Sequence, residues 1–407
     1  MKWTSLNDLR EKYLAFLESK GHLRMPSFAL VPNNDKSLLL INSGMAPMKK
    51  FFTGEEVPPR NRVTTCQKCI RTPDIESVGI TARHGTYFEM LGNFSFGDYF
   101  KHDATRWAWE FCTKVMEMPA DRIYISVYEE DDEAFDSWTK EIGIPEDHMV
   151  RFGKADNFWE HGAGPCGPCS ELYFDRGEKY GCGDPGCKVG CECDRFMEVW
   201  NNVFTQFNGD GHGGYEELEN KNIDTGMGLE RTNCILQGKT SVYLTEVFQP
   251  IINTIEELAN YKYGDDAEKD KSVRIIADHC RSAVFILGDQ KGVTPSNVGA
   301  GYVLRRLIRR AVRHGMKLGI EETFLAKIAE AVIDNFKCAY PELEQNAEKV
   351  KNELTAEENK FRLTLKKGEA EFQKLLPNLM KNPKKIISGK VAYNLYETYG
   401  YPLELTQ

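Results

Sequence analysis

The sequence lacks a long hydrophobic run and an excess of positive charge. No stretch of its 407 residues approaches the roughly 18 apolar residues that a membrane helix requires. Lys and Arg number 52 against 61 Asp and Glu, which gives a formal net charge of −9. An acidic chain does not coat DNA in general, and a polyanionic partner must meet a local basic patch. The sequence therefore predicts neither a membrane-spanning helix nor a DNA-binding role.

Common phosphate-binding motifs are also missing. The sequence contains neither G-x-x-x-x-G-K-[ST] nor a G-x-G-x-x-G that follows a strand. No arrangement typical of a Ser, Cys or His nucleophile with its base is apparent. An ATP site in this chain must therefore be built from strands and arginines.

The N-terminus lacks the charged and then apolar pattern of a signal peptide, which predicts a cytoplasmic protein. In that compartment the 12 cysteines are expected to be thiols or metal ligands rather than disulfides. Apolar residues make up 41% and charged residues 28%, the composition of an ordinary folded protein.

Hydrophobic periodicity divides the chain into two regions. Before residue 245, helical spacing alternates with strand-like runs at 38–41, 62–66, 86–91, 123–128 and 197–207, and Gly, Pro and Cys over 160–195 predict a loop. After residue 245 the spacing is helical, over 246–262, 270–287, 298–318, 321–337, 342–376 and 389–399. We therefore predict an α+β domain over residues 1–245 and an all-helical domain over residues 246–407. The abrupt end after the last helix predicts a fragment of a longer protein.

Two of the strand-like runs flank a polar loop that carries Arg71, Arg83 and His84. Antiparallel strands can place an arginine and an aromatic side chain on one face of a sheet, with the loop reaching over them. The arginine can bind phosphate oxygens through two hydrogen bonds, and the aromatic ring can stack on adenine. The alternative is an ordinary hairpin with surface arginines.

A second candidate site lies at the end of a strand-like run, where Asp224 is followed by Gly226, Gly228 and Arg231. Glycines let the backbone approach a ligand closely, and the start of the following helix favours anions. The alternative is a plain turn from strand to helix.

These segments resemble motifs of a known enzyme class. Residues 62–100 are similar to motif 2 of class II aminoacyl-tRNA synthetases, and residues 226–231 are similar to motif 3. Further segments resemble the alanyl-tRNA synthetase family in particular: Asn42-Ser43-Gly44-Met45, residues 88–100, Asn157-Phe158-Trp159, and residues 164–169, 200–204 and 302–306. The resemblance implies an antiparallel sheet flanked by helices, followed by a helical domain.

The resemblance also implies a role for each candidate residue. Arg71 and Arg231 would be catalytic, and Phe88 would stack on adenine. The implied ATP-binding residues are Arg71, Arg83, His84, Phe88, Met90, Gly228 and Arg231. Asp224 would pair with the ammonium group of alanine in a site formed by Met45, Trp159, Asn201, Val203, Asp224 and Gly226.

By the same resemblance, the chain is expected to activate L-alanine with ATP and Mg²⁺ and to transfer it to the 3′ end of tRNA(Ala). Because the alanine carboxylate is already ionised at neutral pH, the reaction needs charge neutralisation and in-line positioning rather than a general base. The family's editing and oligomerisation regions are expected to lie outside this chain. Two alternatives remain: a class II-like ligase that charges a non-tRNA acceptor with a small amino acid, and a non-catalytic RNA-binding paralogue.

A basic patch is predicted on one helix of the second region. From residue 290 to residue 320 there is no acid, and arginines recur at helical spacing at Arg305, Arg306, Arg309, Arg310 and Arg313. The patch is either a solvated surface or a footprint for a phosphate backbone. The resemblance favours the tRNA acceptor stem, with Asn297 contacting its G·U pair and Glu397 at the position of the family's aspartate partner.

Four cysteines cluster within twelve residues, at Cys182, Cys187, Cys191 and Cys193. Thiolates among glycines suit tetrahedral zinc ligation, which predicts a structural zinc site. The alternative is a loop with four free thiols.

Overall fold

The computed structural model describes residues 1–33, 38–160, 162–381, 386–399 and 401–406. These residues form one sheet of nine strands with helices packed against it. The strands are β1 (Leu23–Arg24), β2 (Arg62–Ile70), β3 (Tyr87–Phe96), β4 (Ile123–Tyr128), β5 (Met149–Phe152), β6 (Phe158–Trp159), β7 (Ala163–Asp175), β8 (Phe196–Asp210) and β9 (Tyr215–Gly228).

The strand order brings the two candidate segments together. The sheet runs β1-β2-β3-β9-β8-β7-β4-β5, with β6 paired to β7, and its neighbours are antiparallel except at β1–β2 and β4–β5. In the register, Cys69 lies opposite Phe88 on β3. Asp224 on β9 pairs with Phe94 on one side and with Val203 on the other. The predicted motif 2 and motif 3 segments therefore meet at the centre of the sheet.

The chain after β9 is helical in the part that the structure describes. The helices flanking the sheet are α1 (Leu6–Ser19), α2 (Lys49–Phe52), α3 (Lys101–Glu110), α4 (Asp132–Asp136) and α5 (Lys154–Asn157). Those that follow are α6 (Leu229–Leu236), α7 (Gln249–Ala259), α8 (Ala267–Gly288), α9 (Gly299–Lys317), α10 (Leu325–Phe336), α11 (Glu342–Gln345), α12 (Ala347–Lys381), α13 (Gly389–Tyr399) and α14 (Leu403–Thr406). The prediction of a mixed region followed by helices is confirmed. Among the described helices, none combines the length and apolarity needed to cross a bilayer.

Helix α8 is the central helix of the second region. It is buried on nearly all sides from Ser272 to Gly288, and its buried residues include the charged side chains of Asp278 and Arg281. It packs against β3 and against α7, α9 and α10. The helical region therefore covers the back of the sheet.

Buried charged groups join the sheet to the helices. Lys68 on β2 donates to Asp289 at 2.7 Å, and the Lys68 side chain is 2% exposed. Glu89 on β3 accepts from Arg10 on α1 at 2.7 Å and from the Tyr340 hydroxyl at 2.5 Å. Because a buried charge is tolerated only when it is paired, these contacts fix the helices against the sheet.

Two sequence predictions are wrong. Residues 38–41 are not a strand, because Ile41 makes only isolated hydrogen bonds, accepting from Ile70 and donating to Leu30, each at 2.8 Å. The predicted loop over 160–195 instead contains strand β7, which lies between β4 and β8. Its Gly-Pro repeats disfavour a strand, but a shift in register between Cys166 and Cys169 accommodates them.

Candidate functional site

The centre of the sheet opens into a cavity of about 280 Å³. Side chains on β3 alternate in exposure: Phe88 and Met90 are partly exposed at the cavity, whereas Glu89 and Tyr87, which also borders the cavity, are buried. Of the residues predicted for the ATP and alanine sites, the lining includes Arg71, Arg83, His84, Phe88, Met90, Trp159, Asn201, Val203, Asp224, Gly226, Gly228 and Arg231. The structure thus brings together residues that lie up to 160 positions apart, from Arg71 to Arg231.

Met45 is the predicted residue that the cavity surface leaves out. Its side chain is 2% exposed and belongs to a small apolar cluster with Phe52 and Phe94. Trp159 packs against the same cluster. Met45 therefore supports the cavity wall through its neighbours rather than by lining the cavity.

Four of the described arginines line this cavity, and Arg71 and Arg231 are two of them. Arg71 directly follows β2, and its Nε donates to the Asn42 carbonyl at 3.0 Å. Its guanidinium lies 5.1 Å from the centroid of the Phe88 ring. Arg231 stands in the first turn of α6, where its Nη1 donates to Glu198 Oε2 at 2.9 Å. A flat anionic ligand with an aromatic base would meet a ring and two cations here.

Asp224 is a buried carboxylate in the cavity wall. It is 7% exposed, and burial raises its pKa to about 7. Within the described residues, no side chain donates a hydrogen bond to it or pairs with it. A small ligand with an ammonium group would supply the charge that this carboxylate needs.

Glu171 and Glu198 also line the cavity, and sequence reasoning missed both. Asn201 Nδ2 donates to Glu171 Oε1 at 3.0 Å. Burial, followed by the charge of Glu198, raises the pKa of Glu171 to about 8. Glu171 lies on β7, within the stretch predicted to be a loop, and the pairing of β7 with β8 places it opposite Asn201. Two neighbouring carboxylates that repel each other favour a bound cation.

A narrow space for a side chain lies beside Asp224. Val203 pairs directly with Asp224 in the sheet, and Trp159 lies at the end of β6. A Cβ atom on Gly226 would lie 2.8 Å from Met90 Sδ, so a larger residue there would displace the Met90 side chain that lines the cavity. The space therefore favours a small ligand.

Arg83 and His84 lie at the cavity next to the cysteine loop. His84 Nδ1 is 2.6 Å from Thr81 Oγ1. Arg83 Nη1 donates to Asp194 Oδ1 at 2.9 Å and to the Cys193 carbonyl at 3.2 Å. Arg83, which is predicted to bind ATP, is thus hydrogen-bonded to the loop that holds the four clustered cysteines.

Those four cysteines could hold a metal ion. The Sγ atoms of Cys182, Cys187, Cys191 and Cys193 all lie within 4.8 Å of one another. By contrast, the Asp278-His279 pair is a core contact, since His279 is fully buried and its Nδ1 lies 2.8 Å from Asp278 Oδ2.

The predicted basic patch lines a second cavity of about 580 Å³. All five arginines of α9 and Glu397 contribute to it. The patch is partly neutralised, because Arg310 and Arg306 lie 3.1 and 3.5 Å from Glu76, and Arg309 lies 2.7 Å from Glu357. Arg305 donates to the exposed Asn297, which therefore stands beside the same groove. We call the cavity that these α9 arginines line the basic groove.

Comparison with known proteins identifies the family to which the chain belongs. The family model "tRNA synthetases class II (A)" matches residues 8–407. The chain therefore belongs to the class II tRNA synthetase family.

Among curated relatives, the chain is 60% identical to alanine–tRNA ligase 1 of Lachnoclostridium phytofermentans and 57% identical to alanine–tRNA ligase of Thermoanaerobacter pseudethanolicus. Both matches extend over 407 residues, which is 100% of this chain but 46% of each relative. Among solved structures, apo histidyl-tRNA synthetase of S. aureus is similar with a TM-score of 0.35 and 9% identity, over 59% of this chain and 69% of that chain. A similarity that low adds nothing to the family assignment.

Proposed function

We propose that this chain activates L-alanine with ATP and transfers it to the 3′ end of tRNA(Ala), as a cytoplasmic enzyme. The observation that carries the proposal is the cavity that joins Arg71, Phe88 and Arg231 to the buried Asp224. The relatives named above are alanine–tRNA ligases, which supports alanine as the amino acid. Within the proposal, residues 1–245 carry the chemistry and residues 246–407 recognise tRNA.

The first step is an attack by the alanine carboxylate on the α-phosphorus of ATP. A new P–O bond forms while the bond to the β-phosphate breaks, and pyrophosphate leaves. Arg71 and Arg231 neutralise the phosphate charge, and stacking on Phe88 fixes adenine. Asp224 holds the ammonium group of alanine, so that the alanine carboxylate lies in line with the bond that breaks at the α-phosphorus. In the second step a terminal ribose hydroxyl of tRNA attacks the carbonyl carbon, and AMP leaves.

The acidic side chains of the cavity fit Mg²⁺. Glu171 and Glu198 line the same space, and the charge of Glu198 helps to raise the pKa of Glu171. Oxygen ligands of this kind suit Mg²⁺, which is commonly shared between one or two carboxylates and substrate phosphates. When bound, the ion would supply further neutralisation of phosphate charge.

Zinc belongs to the proposal as a structural ion. Four thiols in a loop without helix or strand match a closed zinc site, which takes no part in the reaction.

The proposal predicts pyrophosphate exchange that depends on alanine. With ATP and Mg²⁺, alanine should drive exchange, and serine should drive it detectably because a small pocket rejects an added hydroxyl weakly. Glycine should be about 10- to 200-fold slower, since the missing methyl is worth roughly 1–3 kcal/mol. No exchange with alanine at any concentration would refute the proposed activation of alanine.

A second prediction concerns the basic groove. Arg306 is 54% exposed and lies in the groove, so Arg306→Ala should raise the KM for tRNA(Ala) about three- to tenfold and flatten its salt dependence by about one unit of slope. Exchange should not change. Lys317→Ala is the matched control, because Lys317 lies on the same helix but outside the groove. Equal effects of the two variants on tRNA charging would argue against a specific groove.

A further inference from the structure

The four cysteine sulfurs lie at the spacing that a shared metal requires. Tetrahedral zinc, with Zn–S bonds of roughly 2.3 Å, sets its sulfur ligands about 3.8 Å apart. The Sγ atoms of Cys182 and Cys191 are 3.7 Å apart, and those of Cys187 and Cys193 are 3.5 Å apart. A disulfide would require roughly 2.05 Å. The arrangement is therefore that of four ligands around one centre rather than of two disulfides.

The cysteine loop comprises residues 181–195. It contains neither helix nor strand. Its single aliphatic residue, Val189, is buried, whereas Cys182 is exposed and the other three cysteines are partly exposed. A segment of this kind commonly obtains its folding free energy from metal binding.

The same loop holds an arginine of the nucleotide cavity. Arg83, whose side chain is 16% exposed, donates both to the carbonyl of the ligand residue Cys193 and to the carboxylate of Asp194. Arg176, next to β7, donates to the Asp194 carbonyl at 3.1 Å. The backbone at residues 193 and 194 is therefore the direct connection between the thiols and the cavity wall.

We infer that one zinc ion, bound by Cys182, Cys187, Cys191 and Cys193, positions Arg83 for ATP, so that metal occupancy of the cysteine loop sets ATP affinity. This rests on the proposed function, because it takes ATP as the ligand of the cavity. Without the metal, the Cys193 carbonyl and the Asp194 carboxylate lose their fixed places. Arg83 then loses two charge-assisted hydrogen bonds that hold it at the cavity. Asp224 lies on β9 and Val203 on β8, so the alanine site keeps its shape.

The first test compares Cys187→Ser with Cys338→Ser. Cys338 is an exposed thiol outside the loop and serves as the matched control. We expect one zinc per chain, measured by atomic emission, in the wild type and the control, and none in Cys187→Ser. The Kd for ATP, measured by calorimetry, should rise about tenfold in Cys187→Ser alone. The KM for alanine should not change.

The second test asks whether the effect passes through Arg83. Arg83→Ala should weaken ATP binding about as much as Cys187→Ser while keeping its zinc. In the double variant the two effects should not add, as expected for residues that act through one contact. Additive effects would show that the loop acts by another route.

Two further outcomes would overturn the inference: wild-type protein without metal after growth with added zinc, or unchanged ATP affinity once zinc is lost. If Cys187→Ser does not fold, zinc is removed from folded wild type with a chelator, and ATP affinity is measured before and after zinc is restored. Metal content and ATP binding are measured without amino-acid activation. Absence of exchange alone therefore contradicts the proposed function and not the zinc inference.

Discussion

Replacing Arg71 with Ala is expected to lower alanine-dependent pyrophosphate exchange by about 10³-fold. The guanidinium lies over Phe88 at the cavity and is the cation that follows directly from the motif 2 strand. Removing a fixed donor that faces developing charge costs about 10²- to 10³-fold, and arginines at transferring phosphates reach higher values. Because Arg71 is exposed, its loss should change the free energy of unfolding by less than about 1 kcal/mol.

Two further variants make this test specific. Arg71→Lys keeps the charge but not the planar pair of donors, so most of the loss should remain. Arg106→Ala removes an exposed arginine that pairs with Asp103 away from the cavity, and exchange should be unaffected. Full exchange in a folded Arg71→Ala protein would refute the assigned role.

Replacing Asp224 with Asn is expected to have opposite effects on activity and on stability. We assign this buried carboxylate to the alanine ammonium, and loss of one partner of a buried charge pair costs about 2–5 kcal/mol. The KM for alanine should therefore rise by about 30- to 5,000-fold. The Kd for ATP alone should change little, because the proposed function assigns Asp224 to alanine and not to ATP.

The stability effect of Asp224→Asn has a pH dependence with a defined sign. The pKa is raised to about 7 in the folded state, from an ordinary value of 3.8. Between those values the folded state binds more protons than the unfolded state, so stability falls as pH rises. A pKa that is about three higher in the folded state than in the unfolded state lowers the free energy of unfolding by at most about 4 kcal/mol at pH 8. Denaturant titrations should show the variant more stable than wild type at pH 8, with the difference vanishing near pH 4.

The control for this series is Asp210→Asn. Asp210 ends strand β8 and its carboxylate accepts from the amides of His212 and Gly214, outside the cavity. Its replacement should leave the KM for alanine unchanged. If Asp224→Asn kept its alanine KM while Asp210→Asn behaved identically, the ammonium contact would lie elsewhere.

The central hairpin could be predicted from the sequence because its signals are local. Strands β2 and β3 have apolar and aromatic residues on both sides of a polar loop, and the register then places Phe88 opposite Cys69. The helices after β9 could also be predicted, because apolar spacing in the sequence alone identifies α8 and α9. Strand β7 could not be predicted, because its Gly and Pro residues are typical of loops and only pairing with its neighbours β4 and β8 stabilises it.

The missed parts of the site follow from that one error. Glu171 could not be identified as a site residue without strand β7. The charge of Glu198 acts on Glu171 only because strands β7 and β8 are paired. The attachment of Arg83 to Asp194 joins residues 111 positions apart and has no local signal. Composition can indicate that an arginine is present, but only the fold shows which acceptors hold it.

Lys68 has a consequence for how the whole molecule unfolds. A chain cut at residue 245 would keep this lysine in the sheet and lose both of its carboxylate partners, Asp289 and Glu342. An uncompensated charge of this kind costs roughly 3–5 kcal/mol, a large share of the 5–15 kcal/mol that keeps a typical domain folded. We therefore expect the sheet and the helices that follow it to unfold in one cooperative transition. Natural selection on either half acts on the persistence of the other.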